Sequence, residues 1–231
     1  MAELTNTSIS LRVLARLLSY PDQSLRDDLD DMRAALAVER ALTAARKDEL
    51  LALMQHLKVG NPLENESAFV ELFDRGHSTS LHLFEHVHGD SRERGPAMID
   101  LVQTYEKAGL FLAPGELPDY LPVLLEFVST QPSQEATSFL REMAHIFNAI
   151  FNALQQRKSP YASVLGALLE LAGETAHAVK IVPDEAIDTA WEEPLVFDGC
   201  SVKGQATSSQ AQPIHFVKSS ASANAATGVS P

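Results

Sequence analysis

From Leu11 to Leu171 the apolar positions recur at three- and four-residue spacing almost without a break, the pattern of successive amphipathic helices. Leu11, Leu14 and Leu18 share a face of a first helix, with Ser8 as its expected cap and Tyr20-Pro21 as its stop, because proline disfavours a helical residue before it. Leu25, Leu29, Met32 and Leu36 mark a second helix, whose outer faces carry Asp27, Asp28, Asp30 and Asp31 as a solvated surface. A third starts near Thr43, aligns Leu50, Leu53, Met54 and Leu57, and ends at Gly60-Asn61-Pro62. Two short helices, Ser67 to Asp74 and Ser80 to Val87, are separated by Gly76. Pro96 suits the first turn of the next, which carries Met98, Ile99, Leu101, Val102 and Tyr105 and has Gly109 where a C-terminal cap belongs.

Two prolines shape the start of a helix from Leu117 to Thr130. Ser133 is the expected cap of the longest helix, with Phe139, Leu140, Met143, Ile146, Phe147, Ile150, Phe151 and Leu154 on one broad face. A last helix from about Ser159 carries Val164, Leu165, Leu168, Leu169 and Leu171. No run alternates strictly between apolar and polar, so strands are not supported. The expectation is an all-α fold, a single globular helical domain of about eight or nine helices over residues 1–198. Residues 199–231 change character: they are rich in Ser, Ala, Thr and Gln, contain no acidic residue, and read as a disordered tail.

Charge narrows the function. The chain has 231 residues, with 18 Lys and Arg against 31 Asp and Glu and a net charge of -13. Lys203 and Lys218 are the only basic residues of the tail, so 16 bases face 31 acids in the remainder, which stands at -15. Nucleic acid is held mainly by Lys and Arg that displace counterions, and no stretch concentrates them, so a nucleic-acid partner is excluded. A single cysteine, Cys200, allows neither an intramolecular disulfide nor a thiolate zinc cage and points to a reducing compartment. Glu3, Arg12 and Arg16 do not fit a secretory signal, and Asn148 and Asn152 interrupt the apolar run from Ala144 to Leu154, far short of the ~18 residues of a membrane span. A cytoplasmic protein without membrane insertion is expected.

Three features offer chemistry. His82, Glu85 and His86 match the H-x-x-E-H spelling of a zinc-hydrolase class, in which two imidazoles bind zinc and the carboxylate activates water. A catalytic zinc also needs a third protein ligand, and no spacing singles one out. The second feature is the polar loop from Gly89 to Gly95, where Arg92 and Arg94 alternate with Asp90 and Glu93. It reads equally as a brace for helix ends and as a recognition loop. The third is Glu116-Leu-Pro-Asp119-Tyr120 through Glu126-Phe127, which mixes carboxylates with a large apolar face. That combination fits either a groove for a basic amphipathic helix or a core helix with an acidic edge. Nucleophile elbows and phosphate-cradling glycine loops do not occur.

The segments Phe69-Val-Glu-Leu-Phe-Asp-Arg75-Gly, Ser80-Leu-His-Leu-Phe-Glu-His-Val-His-Gly89-Asp-Ser-Arg-Glu-Arg94-Gly and Glu116-Leu-Pro-Asp119 closely resemble the nitrate reductase molybdenum cofactor assembly chaperones, NarJ and NarW, within the wider TorD/DmsD family of redox-enzyme maturation proteins. The resemblance runs from Leu17-Leu-Ser-Tyr-Pro21 to Ala190-Trp191-Glu192-Glu193. It implies a TorD-like all-helical chaperone and not an enzyme. Its implied client is the apo alpha subunit of a membrane-bound respiratory nitrate reductase, bound chiefly through that subunit's N-terminal peptide. The client, not the chaperone, receives the bis-molybdopterin guanine dinucleotide cofactor, and membrane docking is delayed until it has. Proteins of molybdenum cofactor biosynthesis are the implied second partners. The same fold serving another molybdoenzyme, such as an N- or S-oxide reductase, and the zinc hydrolase are the alternatives.

Carried over by residue, the resemblance assigns the motif loop to His86, His88, Gly89, Asp90, Ser91, Arg92, Arg94 and Gly95. It matches Leu72, Phe73, Glu116, Pro118 and Asp119 to family positions, and together with Phe84, Glu85, Tyr120, Leu124, Glu126 and Phe127 these are expected to bind the client peptide. The client's apolar side chains are expected on Phe73, Phe84, Leu124 and Phe127, and its basic groups on Glu85, Glu116, Asp119 or Glu126. Tyr120 stands where the family has His, and His82 where relatives tend to have an aliphatic residue.

Overall fold

Helix starts are set by short polar side chains that take up otherwise unpaired amides. In a computed structural model, which describes residues 6–87 and 92–179, α1 (Asn6–Leu17) is followed by α2 (Gln23–Val38), where Asp22 Oδ1 accepts the Leu25 amide at 2.8 Å, and by α3 (Ala44–Val59), capped by Thr43. The next helix, α4 (Pro62–Phe69), begins five residues earlier than the apolar spacing predicts. Asn61 Oδ1 accepts the Leu63 amide at 3.0 Å and Pro62 fills the first helical position, so the same residues that end α3 also start α4. It continues as a π-turn, Val70–Asp74, then a 3₁₀ turn, His77–Thr79.

There follow α5 (Leu83–Val87), α6 (Arg94–Lys107), α7 (Leu121–Ser129), α8 (Ser133–Gln156) and α9 (Ala162–Leu171). The all-α expectation holds: among the described residues there are nine α-helices and no strand, only one isolated antiparallel bridge between His82 and Tyr120. In α9 every residue except Glu170 is buried, and it packs against α8, α3 and α1, so this helix, apolar all round, is the centre of the fold. Lys158, at φ 53°, makes the tight turn between α8 and α9.

Several boundaries differ for physical reasons. Ser8 lies inside α1 and donates its hydroxyl to the Ser129 carbonyl at 2.6 Å, tying α1 to the end of α7 instead of capping. Ser133 is the first residue of α8, and its buried hydroxyl has no hydrogen-bond partner. Residues 117–120 form a turn, so α7 starts at Leu121 with Pro122 in its first turn. Gly95 lies in the first turn of α6 and not in the loop before it. Of the apolar face read on α6, only Tyr105 is buried, while Ile99 remains 59% exposed. The expected boundary at residue 198 and the tail at 199–231 lie outside the described residues. Among those described, no helix is long and apolar enough to cross a membrane.

Candidate functional site

Two sequence segments far apart in the chain meet at the bridge. The Leu81 carbonyl accepts the Leu121 amide at 2.8 Å, and the Asp119 carbonyl accepts the Leu83 amide at 3.0 Å. The Asp119 carboxylate then accepts the Phe84 amide on Oδ2 at 3.2 Å and lies 3.4 Å from His82 Nδ1 through Oδ1. The first two amides of α5 are therefore both satisfied by Asp119, which does from a distant segment what a local cap usually does. Arg94, at the start of α6, places Nη2 3.8 Å from Asp119 and 3.7 Å from Glu85. One carboxylate thus joins α5, α6 and the turn before α7.

The same turn is held from a second side. Tyr105 donates its hydroxyl to the Pro118 carbonyl at 2.7 Å, and Glu116 accepts the Ala113 amide at 3.0 Å. Tyr120 lies against the His82 ring, centroids 5.2 Å apart, and its phenol is pushed up to about 12, first by burial and then by the charge of Asp74. The imidazole of His82 is raised above its ordinary 6.5, chiefly by the hydrogen bond to Asp119, against the opposing effect of burial. A raised imidazole contributes stability that is full below the unfolded value of 6.5 and is lost as pH rises through the folded value. His82→Gln is accordingly expected to narrow the gap between urea midpoints measured on either side of that range. An unchanged pH profile would show that the pair carries no linkage.

Above this junction an open cavity of about 480 Å³ lies between α1, the segment after α6, and α7. Tyr105, Leu110, Phe111, Leu112, Val123 and Phe127 supply apolar surface, while Glu116, Glu126, Arg12 and Arg16 supply charge. The Tyr105 and Phe127 rings meet at 4.8 Å, and Phe111 stands 79% exposed. A second cavity, of about 310 Å³, is lined by Phe73, Asp74, Arg75, Gly76, His77, Ser80, His82 and Glu85.

The residues expected to bind a client therefore divide. Glu116, Glu126 and Phe127 line the larger cavity, whereas Phe73 and Glu85 line the smaller. Leu124 and Asp119 are fully buried, and Phe73 and Phe127 are 4% and 6% exposed. Phe73 belongs to an aromatic cluster with Phe69 and Tyr161, at centroid distances of 4.8 and 5.2 Å. Pro118 is also buried, while Leu72, Phe84 and Tyr120 are half-buried and Glu85 is engaged by Arg94. Within the motif loop, His86 takes the Ser80 carbonyl on Nε2 at 2.9 Å, Arg92 is exposed, and His88, Gly89, Asp90 and Ser91 lie outside the described residues.

The zinc arrangement is not formed. One imidazole is turned to Asp119 and the other to the Ser80 carbonyl, and no three His, Cys, Asp or Glu among the described residues are grouped to hold a metal ion. Arg12, Arg16, Val123 and the run Leu110-Phe111-Leu112 line the cavity without having been expected at a binding site. The last had a usable signal: three apolar residues between Gly109, at φ 79°, and Pro114-Gly115 are adjacent in a segment that helix periodicity cannot bury.

The model of the nitrate reductase delta subunit family matches residues 21–166. The chain is 40% identical over 198 residues to the nitrate reductase molybdenum cofactor assembly chaperone NarJ of Escherichia coli K12, covering 81% of this chain and 84% of that one. It is 38% identical to NarW of the same strain, a protein named for the same role, with 80% and 82% covered. Among solved structures, a redox enzyme maturation protein from Archaeoglobus fulgidus superposes with a TM-score of 0.53 over 72% of this chain and 94% of that one, and at 20% identity that likeness concerns the fold alone.

Proposed function

The chain belongs to the nitrate reductase delta subunit family, and from that premise we propose that it is a chaperone dedicated to the assembly of a nitrate reductase. It binds the N-terminal segment of the apo alpha subunit, keeps that subunit able to receive its molybdenum cofactor, and delays membrane docking until the cofactor is in place. It is a maturation protein and not an enzyme. Proteins of molybdenum cofactor biosynthesis meet the chaperone-bound client, which accepts the cofactor from them. The 40% identity to NarJ favours this client over an N- or S-oxide reductase.

The observation that carries the binding role is the cavity of about 480 Å³ with an apolar floor and a charged rim. An amphipathic helix laid in it would set apolar side chains against Phe111, Val123 and Phe127. Its basic groups would meet Glu116 and Glu126, the two expected carboxylates that line this cavity, since Glu85 is paired with Arg94 and Asp119 is enclosed. The negative charge of the chain speeds such an encounter, and salt weakens it.

Calorimetric titration with the N-terminal peptide of the co-encoded alpha subunit, at low and moderate salt, is the test. Saturable binding that weakens with salt is expected. Phe111→Ala, at an exposed position, is expected to weaken it about tenfold with unchanged circular dichroism. Absence of binding at both salt concentrations would overturn the proposed client.

A further inference from the structure

The charges on the cavity rim are of both signs, and they are not equivalent. Arg16 is spent within the fold: Nε lies 2.9 Å from Asp28 Oδ2, with Ser24 also accepting at 2.9 Å and Asp22 3.8 Å away. Arg12, one turn earlier on α1, meets no carboxylate among the described residues. Its Nε donates to Ser129 Oγ at 3.2 Å, and that hydroxyl donates in turn to the Glu126 carbonyl at 2.7 Å. The pairing is consistent in its protons, since the serine accepts one and gives one. A guanidinium has five N–H donors in a planar fork, so fixing Nε leaves four on the two terminal nitrogens, held in a defined plane. Such a fork matches a carboxylate with two parallel hydrogen bonds.

We infer that Arg12, oriented by Ser129 at the edge of the apolar cavity, takes a carboxylate of the bound segment, so that the groove reads an amphipathic helix carrying an acidic residue as well as basic ones. This rests on the groove being the client site proposed above and adds a requirement to it. Attraction to a strongly negative chain would by itself select any basic amphipathic helix. A cation that meets no carboxylate among the described residues, set beside Glu116 and Glu126, makes the order of charges along the helix matter, because a segment bound in reverse would set like charges against each other.

A double-mutant cycle tests this. Titrations pair the wild-type chain, Arg12→Gln and Arg12→Lys with the alpha-subunit peptide and with versions in which each Asp or Glu is changed in turn to its amide. Arg12→Gln is expected to weaken the unmodified peptide about tenfold, and for one amide version the same substitution should have no further effect. Arg12→Lys, which keeps charge and loses the fork, should fall between. Lys58→Ala, which removes a positive charge from an exposed pair with Asp30, controls for net charge. If Arg12→Gln weakens every peptide equally, or none, the carboxylate contact is wrong while the groove stands as the client site. A client segment with no acidic residue sinks the inference outright, and failure of the unmodified peptide to bind wild type removes the client reading as well.

Discussion

Asp119→Ala is expected to destabilise the chain by about 3 kcal/mol, the usual scale for removing one partner from a buried, hydrogen-bonded charge cluster. The side chain is fully buried and accepts the Phe84 amide while facing His82 and Arg94. Without it, the Phe84 amide loses this acceptor at the start of a five-residue helix too short to persist by itself, and among the described residues Arg94 retains Glu85 as its ion-pair partner. Asp119→Asn preserves an oxygen for the amide and loses the charge, so a smaller cost is expected. Urea unfolding of the two variants against wild type measures both. If Asp119→Ala shifted the midpoint no more than an exposed substitution does, the carboxylate would not be the joint between α5, α6 and α7. The order of the two variants also separates the hydrogen bond from the charge, which a single substitution cannot do.

Tyr105→Ala is expected to cost about 4 kcal/mol, within the range for removing a buried aromatic side chain. Tyr105 is 2% exposed, and it is the one buried residue of α6. Its ring packs on Phe127 and its hydroxyl holds the Pro118 carbonyl, while burial, with Asp119 adding, lifts the phenol far above its usual range and keeps it a donor. The substitution should therefore do more than open a void: α6 should lose its anchor while the rest of the core is kept. Hydrogen exchange reads this directly, with protection falling in α6 and persisting in α9. Tyr105→Phe removes only the hydroxyl and should cost about 1 kcal/mol. Loss of protection spread evenly over all helices would instead mean that α6 and the core unfold as one unit.

Both predictions concern a joint that was partly readable beforehand. Glu85 could be picked out from the H-x-x-E-H spelling, Glu116 and Asp119 from a segment that mixes carboxylates with an apolar face, and all three from the resemblance of their segments to a chaperone family. Their direction could not be read. Asp119 is expected from the sequence on a helix with an acidic edge, yet the bridge between His82 and Tyr120 folds its turn inward and encloses it. Arg12, noted only as out of place in a secretory signal, gave no sign of a site for the converse reason. On α1 it is one polar residue among Leu11, Leu14 and Leu17, and only the packing of α7 against α1 gives it Ser129 as a support and a cavity to face.

Helix by helix, local pattern was sufficient wherever one stripe of apolar residues met one core, as in α2 and α3, since periodicity and caps act within a few residues of each other. The all-α class followed from that alone. The sequence could not say that α9 would be enclosed on all sides, that Phe73 would stack into a buried aromatic cluster, or that Ile99 on α6 would stay exposed. Those outcomes depend on which neighbours arrive from distant parts of the chain. A helix carries its spacing in its own residues, but burial, charge pairing and the walls of a cavity are properties of the assembled helices, and only the tertiary structure decided them.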